Sequence, residues 1–176
     1  MSDLDTRIRA ALRDIPDFPR PGILFKDITP LLGDARLFRD VTDAMAAPYA
    51  GAGITHVVAI ESRGFLLGAP VAQRLEAALV PVRKPGKLPA ASVRESYALE
   101  YGTDTLEMHA DGVPPGARAL VIDDVLATGG TASAACALVE RVGAQVIGVG
   151  LLLELGFLNG RARLSGRQIT SLVTFA

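Results

Sequence analysis

Chemistry is concentrated in one stretch of this chain. Ala119, Leu120, Val121 and Ile122 form an apolar run that meets two adjacent acids, Asp123 and Asp124, and leads on into Ala127, Thr128, Gly129, Gly130 and Thr131. The pattern reads as strand, paired acids, anion cradle and helix. Small residues let successive backbone N–H groups approach a phosphate closely, Thr128 and Thr131 add hydroxyl donors, and the helix that follows points its positive end at the same anion. Two carboxylates beside a phosphate would repel it unless hydroxyls or a Mg²⁺ ion lie between them, and a sugar phosphate carries both hydroxyls and phosphate. Two common phosphate motifs do not fit. The Walker pattern needs a Lys before its terminal Ser or Thr, where Gly130 stands, and Gly148 and Gly150 cannot be extended to the dinucleotide fingerprint because Leu153 holds its third glycine position.

Further groups have the types and spacing for related work. In Glu61, Ser62, Arg63 and Gly64, between a β-rich apolar run and a helical one, the N–H groups of 62–64 can turn inward on an anion while Arg63 supplies a donor fork; the plainer reading is Ser62 as a helix N-cap. Arg83, Lys84, Lys87 and Arg94 follow another apolar run with no acid between them, either as a solvated basic face or as an anion site. Leu24, Phe25 and Lys26 lie in a Pro-bounded extended segment, where alternating backbone groups can meet the edge of a planar base and the Phe25 ring can stack on it; core packing is the default for any Phe. Glu100 and Tyr101 sit at the tip of a long polar excursion, as a solvated tip or as a lid that excludes water. His56 and His109 have no partner pattern, and the single cysteine, Cys136, reads as a small buried thiol.

These groups need a scaffold. Helical spacing of Leu4, Ile8, Ala11 and Leu12 is ended by Pro16, Pro19 and Pro21, which begin a structured arm. Helices are expected over 37–50, 64–77 and 131–142, and strands over 55–60, 79–82, 118–123 and 145–153. The alternation means an α/β fold with a mostly parallel twisted sheet and helices on both faces. Glu61, the pair Arg83 and Lys84, and the acid pair each directly follow a strand, so three strands deliver polar groups to one carboxyl rim, where open α/β sheets bind ligands. Residues 83–116 fit neither period, and arms over 96–99 and 105–109 suggest a mobile hairpin lid with its tip at 100–104. The 176 residues, 49% of them hydrophobic, are one domain's worth, with the N-terminal helix and arm over 1–34 and the excursion over 83–116. With no apolar signal region or run long enough to span a bilayer, and a formal net charge of −1, the expectation is a cytoplasmic protein that binds neither membrane nor nucleic acid.

The 121–131 stretch resembles the phosphoribosyl-pyrophosphate motif of type I phosphoribosyltransferases. Four more segments, 18–30, 61–65, 82–89 and 97–102, resemble in order those of the family's adenine-using members, so the likeness spans nearly the whole chain. It implies transfer of a 5-phosphoribosyl group from 5-phosphoribosyl 1-pyrophosphate to adenine, giving AMP and pyrophosphate in purine salvage, with Mg²⁺ held mainly through the diphosphate and waters. It further implies that Asp123 and Asp124 contact the ribose hydroxyls and that residues 127–131 hold the 5′-phosphate. The 61–64 turn would bind pyrophosphate, often with a cis peptide between Glu61 and Ser62, aided by Arg83, Lys84 and Lys87. The base would lie between Phe25 and Leu155, read by backbone around Leu24 and Lys26; Lys26 stands where Arg is frequent in the family. Glu100 would accept the base's proton while Tyr101 covers the site. A homodimer is implied. The rivals are the same chemistry on another purine, and a non-catalytic sensor of phosphoribosyl pyrophosphate.

Overall fold

The structure, a computed structural model, describes residues 3–98 and 102–176. Its chain order is α1 (Asp3–Ala11), β1 (Arg13–Pro16), β2 (Leu24–Asp27), α2 (Thr29–Gly33), α3 (Ala35–Ala46), β3 (His56–Ile60), α4 (Arg63–Arg74), β4 (Ala78–Val82), β5 (Ser92–Ala98), β6 (Thr103–His109), β7 (Arg118–Leu126), α5 (Gly130–Arg141), β8 (Gln145–Leu155) and β9 (Ile169–Phe175), with short 3₁₀ turns at Ala47–Tyr49, Gly156–Leu158 and Gly160–Leu164. Five strands form one parallel sheet in the order β4-β3-β7-β8-β9. From β3 the chain crosses through α4 to β4 on one side, and from β7 through α5 to β8 on the other. The reversal falls between β3 and β7, so a crevice opens at the carboxyl ends of those two strands.

Both faces of the sheet are covered, and its inner strands β3, β7 and β8 are buried along nearly their whole length, as central parallel strands must be. On one face α3 lays Leu37, Val41 and Met45 against Val57, Leu120 and Ile122, and its first turn is capped by Asp34, whose carboxylate accepts from the N–H of Arg36 and Leu37 at 3.0 Å each. The Tyr49 ring closes on β8 where Gly148 leaves room: a Cβ there would stand 2.4 Å from the ring. On the other face α5 and β6 bury Ala135, Cys136, Leu138, Leu106 and Met108. Burial pushes the Cys136 thiol up to about 11, which keeps it an inert core group.

The sequence pattern and the structure differ at several edges. β7 runs three residues past the expected end at 123, so Asp123 and Asp124 lie inside the strand; pairing of Val125 with Leu153 and Leu126 with Glu154 carries the ladder through the acids. The arm is a small antiparallel hairpin, β1 with β2, and the first helix stops at Ala11 rather than reaching Pro16. The excursion is ordered at its base, since β5 begins at Ser92 and β6 contributes the fully buried Leu106 and Met108; strand β9 carries little apolar signal of its own. Among the described residues no helix is long and apolar enough to cross a membrane.

Candidate active site

The crevice between β3 and β7 holds a cavity of about 270 Å³ lined by Glu61, Ser62, Arg63, Lys84, Asp123 and Asp124, and by residues 125–132, which include Ala127, Thr128, Gly129, Gly130 and Thr131. Residues from three separate strand ends thus meet at one place. Asp123 and Asp124 are 8% and 4% exposed. Arg63, in the first turn of α4, sets its Nε 2.6 Å from Asp124 Oδ2, and the Asp124 N–H donates to Asp123 Oδ1 at 2.9 Å. Burial, and next the neighbouring Asp124 charge, raise the Asp123 carboxyl well above its ordinary range. The first turn of α4 can press this close because Gly64 has no side chain: a Cβ would stand 2.8 Å from the Ile122 carbonyl oxygen and 3.1 Å from Asp123 Oδ1.

The cradle is built from backbone. Gly129 has φ 82°, a left-handed conformation that suits glycine, and it opens α5 without a side-chain cap, leaving the first N–H groups of that helix for a ligand. A Cβ on Gly129 would fall 2.3 Å from the Gly160 carbonyl oxygen, so the cradle rests directly on the backbone of the 160–164 turn. Its open side faces the hairpin of β5 and β6. There the Tyr97 hydroxyl accepts from Thr131 Oγ1 at 3.3 Å and from Lys84 Nζ at 3.2 Å, and donates to Asp104 Oδ2 at 3.1 Å. Lys84 is also ion-paired with Asp104. Burial would lower the Lys84 ammonium, but Asp104 and Tyr97 outweigh it and hold it above its usual value.

The basic run is ion-paired, with Lys87 and Arg94 still half or more exposed. Glu61 accepts from the Lys84 backbone N–H at 3.0 Å, from Lys87 Nζ at 3.0 Å and from Arg83 Nη2 at 3.2 Å, while Arg94 Nε stands 2.6 Å from Glu107 Oε1. Burial would raise the Glu61 carboxyl, but the Lys84 N–H and the two cations outweigh it and bring it down to about 2. Glu61 therefore fastens the 83–87 loop to the end of β3, and of those cations Lys84 alone lines the cavity. The Glu61–Ser62 peptide is cis, and Ser62 occupies the N-cap position of α4 without a side-chain capping hydrogen bond.

Leu24, Phe25, Lys26 and Leu155 do not line this cavity. Phe25 reaches it at one remove, because the Arg63 guanidinium sits over its ring at 4.8 Å; Phe18 meets the same ring edge-on at 5.1 Å. Lys26 turns instead to Asp14, 2.7 Å away, and lies over the Phe175 ring at 4.6 Å, while Leu155 pairs with Phe175 at the end of the sheet. Glu100 and Tyr101 lie outside the described residues. Tyr97, Asp104 and Gly160 were not among the residues the sequence pointed to. Tyr97 and Asp104 face each other across the hairpin, in a stretch that fits neither period, and Gly160 gives no local signal.

A parallel sheet with a phosphate cradle and buried acids at its switch point is the architecture of a phosphoribosyl-transferring protein. Residues 33–165 match the family model for the phosphoribosyl transferase domain, and the chain belongs to that family. The adenine phosphoribosyltransferase of Myxococcus xanthus is 58% identical over 168 residues, covering 96% of this chain and 91% of its own. The crystal structure of adenine phosphoribosyltransferase from Rhodothermus marinus superposes with a TM-score of 0.94 at 51% identity over 98% of both chains. That of the Saccharomyces cerevisiae enzyme, solved with an imino-altritol bisphosphate and adenine, gives a TM-score of 0.92 at 37% identity over 98% of this chain and 99% of its own.

The Glu61 clamp makes a pH-dependent contribution to stability. Its carboxyl titrates near 2 when folded against an ordinary 4.5, so the contribution is complete above about 4.5 and is lost as the pH falls through about 2. In urea titrations at successive pH values, Glu61→Gln should be less stable than wild type at pH 7 and the gap should narrow below pH ~4.5. A gap that stays constant down to pH ~2 would remove the clamp from the account.

Proposed function

We propose that this protein transfers the 5-phosphoribosyl group of 5-phosphoribosyl 1-pyrophosphate to adenine, releasing AMP and pyrophosphate in purine salvage. The observation that carries the reading is the buried acid pair above a backbone phosphate cradle at the sheet's switch point, in a chain whose full-length relatives are adenine phosphoribosyltransferases. The cradle, residues 127–131, takes the 5′-phosphate, and Asp123 and Asp124 take the ribose hydroxyls. Asp124 must then exchange its contact with Arg63 for a hydroxyl, which frees the Arg63 guanidinium for the diphosphate. Negative charge beside the ribose favours the ribosyl cation that develops as the bond from C1′ to pyrophosphate breaks. Ser62, Arg63 and Lys84 meet the departing pyrophosphate, with Glu61, Arg83 and Lys87 holding the loop that carries Lys84.

Adenine bonds to C1′ through N9 and loses its N9 proton to Glu100, while Tyr101 helps exclude water. The Phe25 ring, released by Arg63, stacks on the base, Leu155 closes the other side, and backbone near Leu24 and Lys26 reads its amino edge. No cluster of three or more His, Cys, Asp or Glu able to hold a metal occurs among the described residues, and Asp124 is already paired with Arg63; this donor set suits Mg²⁺ brought in on the diphosphate with its waters, near Asp123 and Asp124. Bound there, Mg²⁺ supplies neutralising charge to the leaving group.

A homodimer in the cytoplasm completes the reading. Leu66 and Leu79, 48% and 46% exposed on α4 and the edge strand β4, offer apolar surface for a second copy. Sedimentation at micromolar concentration should give twice the 18.4 kDa chain mass, and a monomer alone would overturn the dimer.

A panel of bases assayed for pyrophosphate release with Mg²⁺ present should show adenine turned over and hypoxanthine, guanine and xanthine poor, because groups matched to an amino edge stay unpaired against a 6-oxo base. Comparable turnover of hypoxanthine would move the protein to the rival purine assignment, and no turnover of any base would favour a non-catalytic sensor.

Replacing Asp123 and Asp124 together by Asn should lower turnover by roughly 10²–10³-fold in a folded protein. Glu100→Gln should lower it by roughly 10²–10⁴-fold with pyrophosphate affinity unchanged. Near-normal turnover in either folded variant would remove that group from the mechanism.

A further inference from the structure

Behind the cradle, outside the cavity lining, lies a polar cluster. Glu154, near the end of β8, is 5% exposed and pairs in register with Leu126, the strand residue that leads into the cradle. Arg161 meets both of its oxygens, Nε with Oε1 and Nη2 with Oε2, each at 2.7 Å, and Ser171 Oγ donates to Oε2 at 2.8 Å. Arg161 also donates to Ser171 Oγ at 3.2 Å and to the Ile169 carbonyl at 3.4 Å. A two-pronged pair on a desolvated carboxylate demands one geometry, so it fixes where the Arg161 backbone can lie.

The residue before Arg161 is Gly160. A Cβ on it would stand 2.2 Å from the Ala127 carbonyl oxygen and 3.1 Å from the Gly129 nitrogen. The turn and the cradle therefore touch backbone to backbone. A loop carrying Gly129 and Gly130 has wide conformational freedom, and its N–H groups converge on a phosphate only if something outside the loop limits that freedom.

We propose that Arg161 and Glu154 are positioning residues for the phosphate cradle, with their ion pair seating the 160–164 turn against residues 127–129. The proposal rests on the reading of 127–131 as the 5′-phosphate site. Because the pair stands behind the cradle and apart from the 61–64 turn and Lys84, its loss should weaken the 5′-phosphate end of the substrate selectively.

The test compares wild type, Arg161→Gln, Arg161→Lys and Ser171→Ala, each checked for folding by circular dichroism. Dissociation constants for ribose 5-phosphate and for inorganic pyrophosphate are measured separately, with KM and kcat for 5-phosphoribosyl 1-pyrophosphate. Arg161→Gln should weaken ribose 5-phosphate about tenfold, less than the ~10²-fold that a 1 Å misplacement can cost, and raise KM more than it lowers kcat. Arg161→Lys, which keeps the charge but not the fork, should fall between it and wild type, and pyrophosphate affinity should not move. If Arg161→Gln fails to fold, the Lys and Ala variants decide the matter by the same selective loss. Equal loss of both ligands would mean general loosening and overturn the brace, as would unchanged ribose 5-phosphate affinity in folded variants. Wild type that fails to bind ribose 5-phosphate would instead overturn the reading of the cradle, and the brace with it.

Discussion

Two carboxylates sit side by side in the second half of a buried strand, and most of the site's construction follows from the need to keep them there. Asp123 and Asp124 are both under 10% exposed, and adjacent buried charges of one sign repel while each loses its hydration. The structure meets this cost locally. Arg63 neutralises Asp124, the Asp124 N–H supports Asp123, and the raised Asp123 carboxyl relieves what remains. Arg63 can reach Asp124 because α4 starts hard against β7, and it can start there because residue 64 is glycine. The acid pair therefore constrains a neighbouring helix as well as its own strand.

The same groups serve as stand-ins for one another. Arg63 lies between the Phe25 ring and Asp124, and Lys84 lies between Tyr97 and Asp104, so two cations at the cavity are held by protein acids and rings. Partly buried cations without partners would be costly, and a carboxylate that gives up its cation in an exchange needs a new donor in its place. Exchange at Lys84 involves the β5–β6 hairpin, because Asp104 and Tyr97 both belong to it. One ammonium group thus ties the cavity to the hairpin.

The base of the hairpin is anchored while its partners at the cavity are exchangeable. Leu106 and Met108 are core residues, Glu107 accepts from the Gly86 N–H at 3.0 Å, and Arg141 of α5 pairs with Glu95 of β5.

The amino-acid sequence by itself determined the alternation of strands and helices, the parallel sheet, and the stretch in which acids precede a small-residue cradle. Those features are local: periodicity, glycine and hydroxyl placement, and short spacings encode them along the chain. It also brought Glu61, Arg63 and Lys84 to one rim, since each follows a strand. Partnership was decided only by the tertiary structure. Arg83, Lys87 and Arg94 look like a free basic run until Glu61 and Glu107, distant in sequence, are folded against them. Tyr97, Asp104, Gly160 and the Glu154–Arg161 pair carry no local pattern, because what makes them matter is a contact across the hairpin or behind the cradle. Which residues share a strand is written in continuous apolar runs, but which charges share a partner depends on distances that exist only once the sheet has assembled.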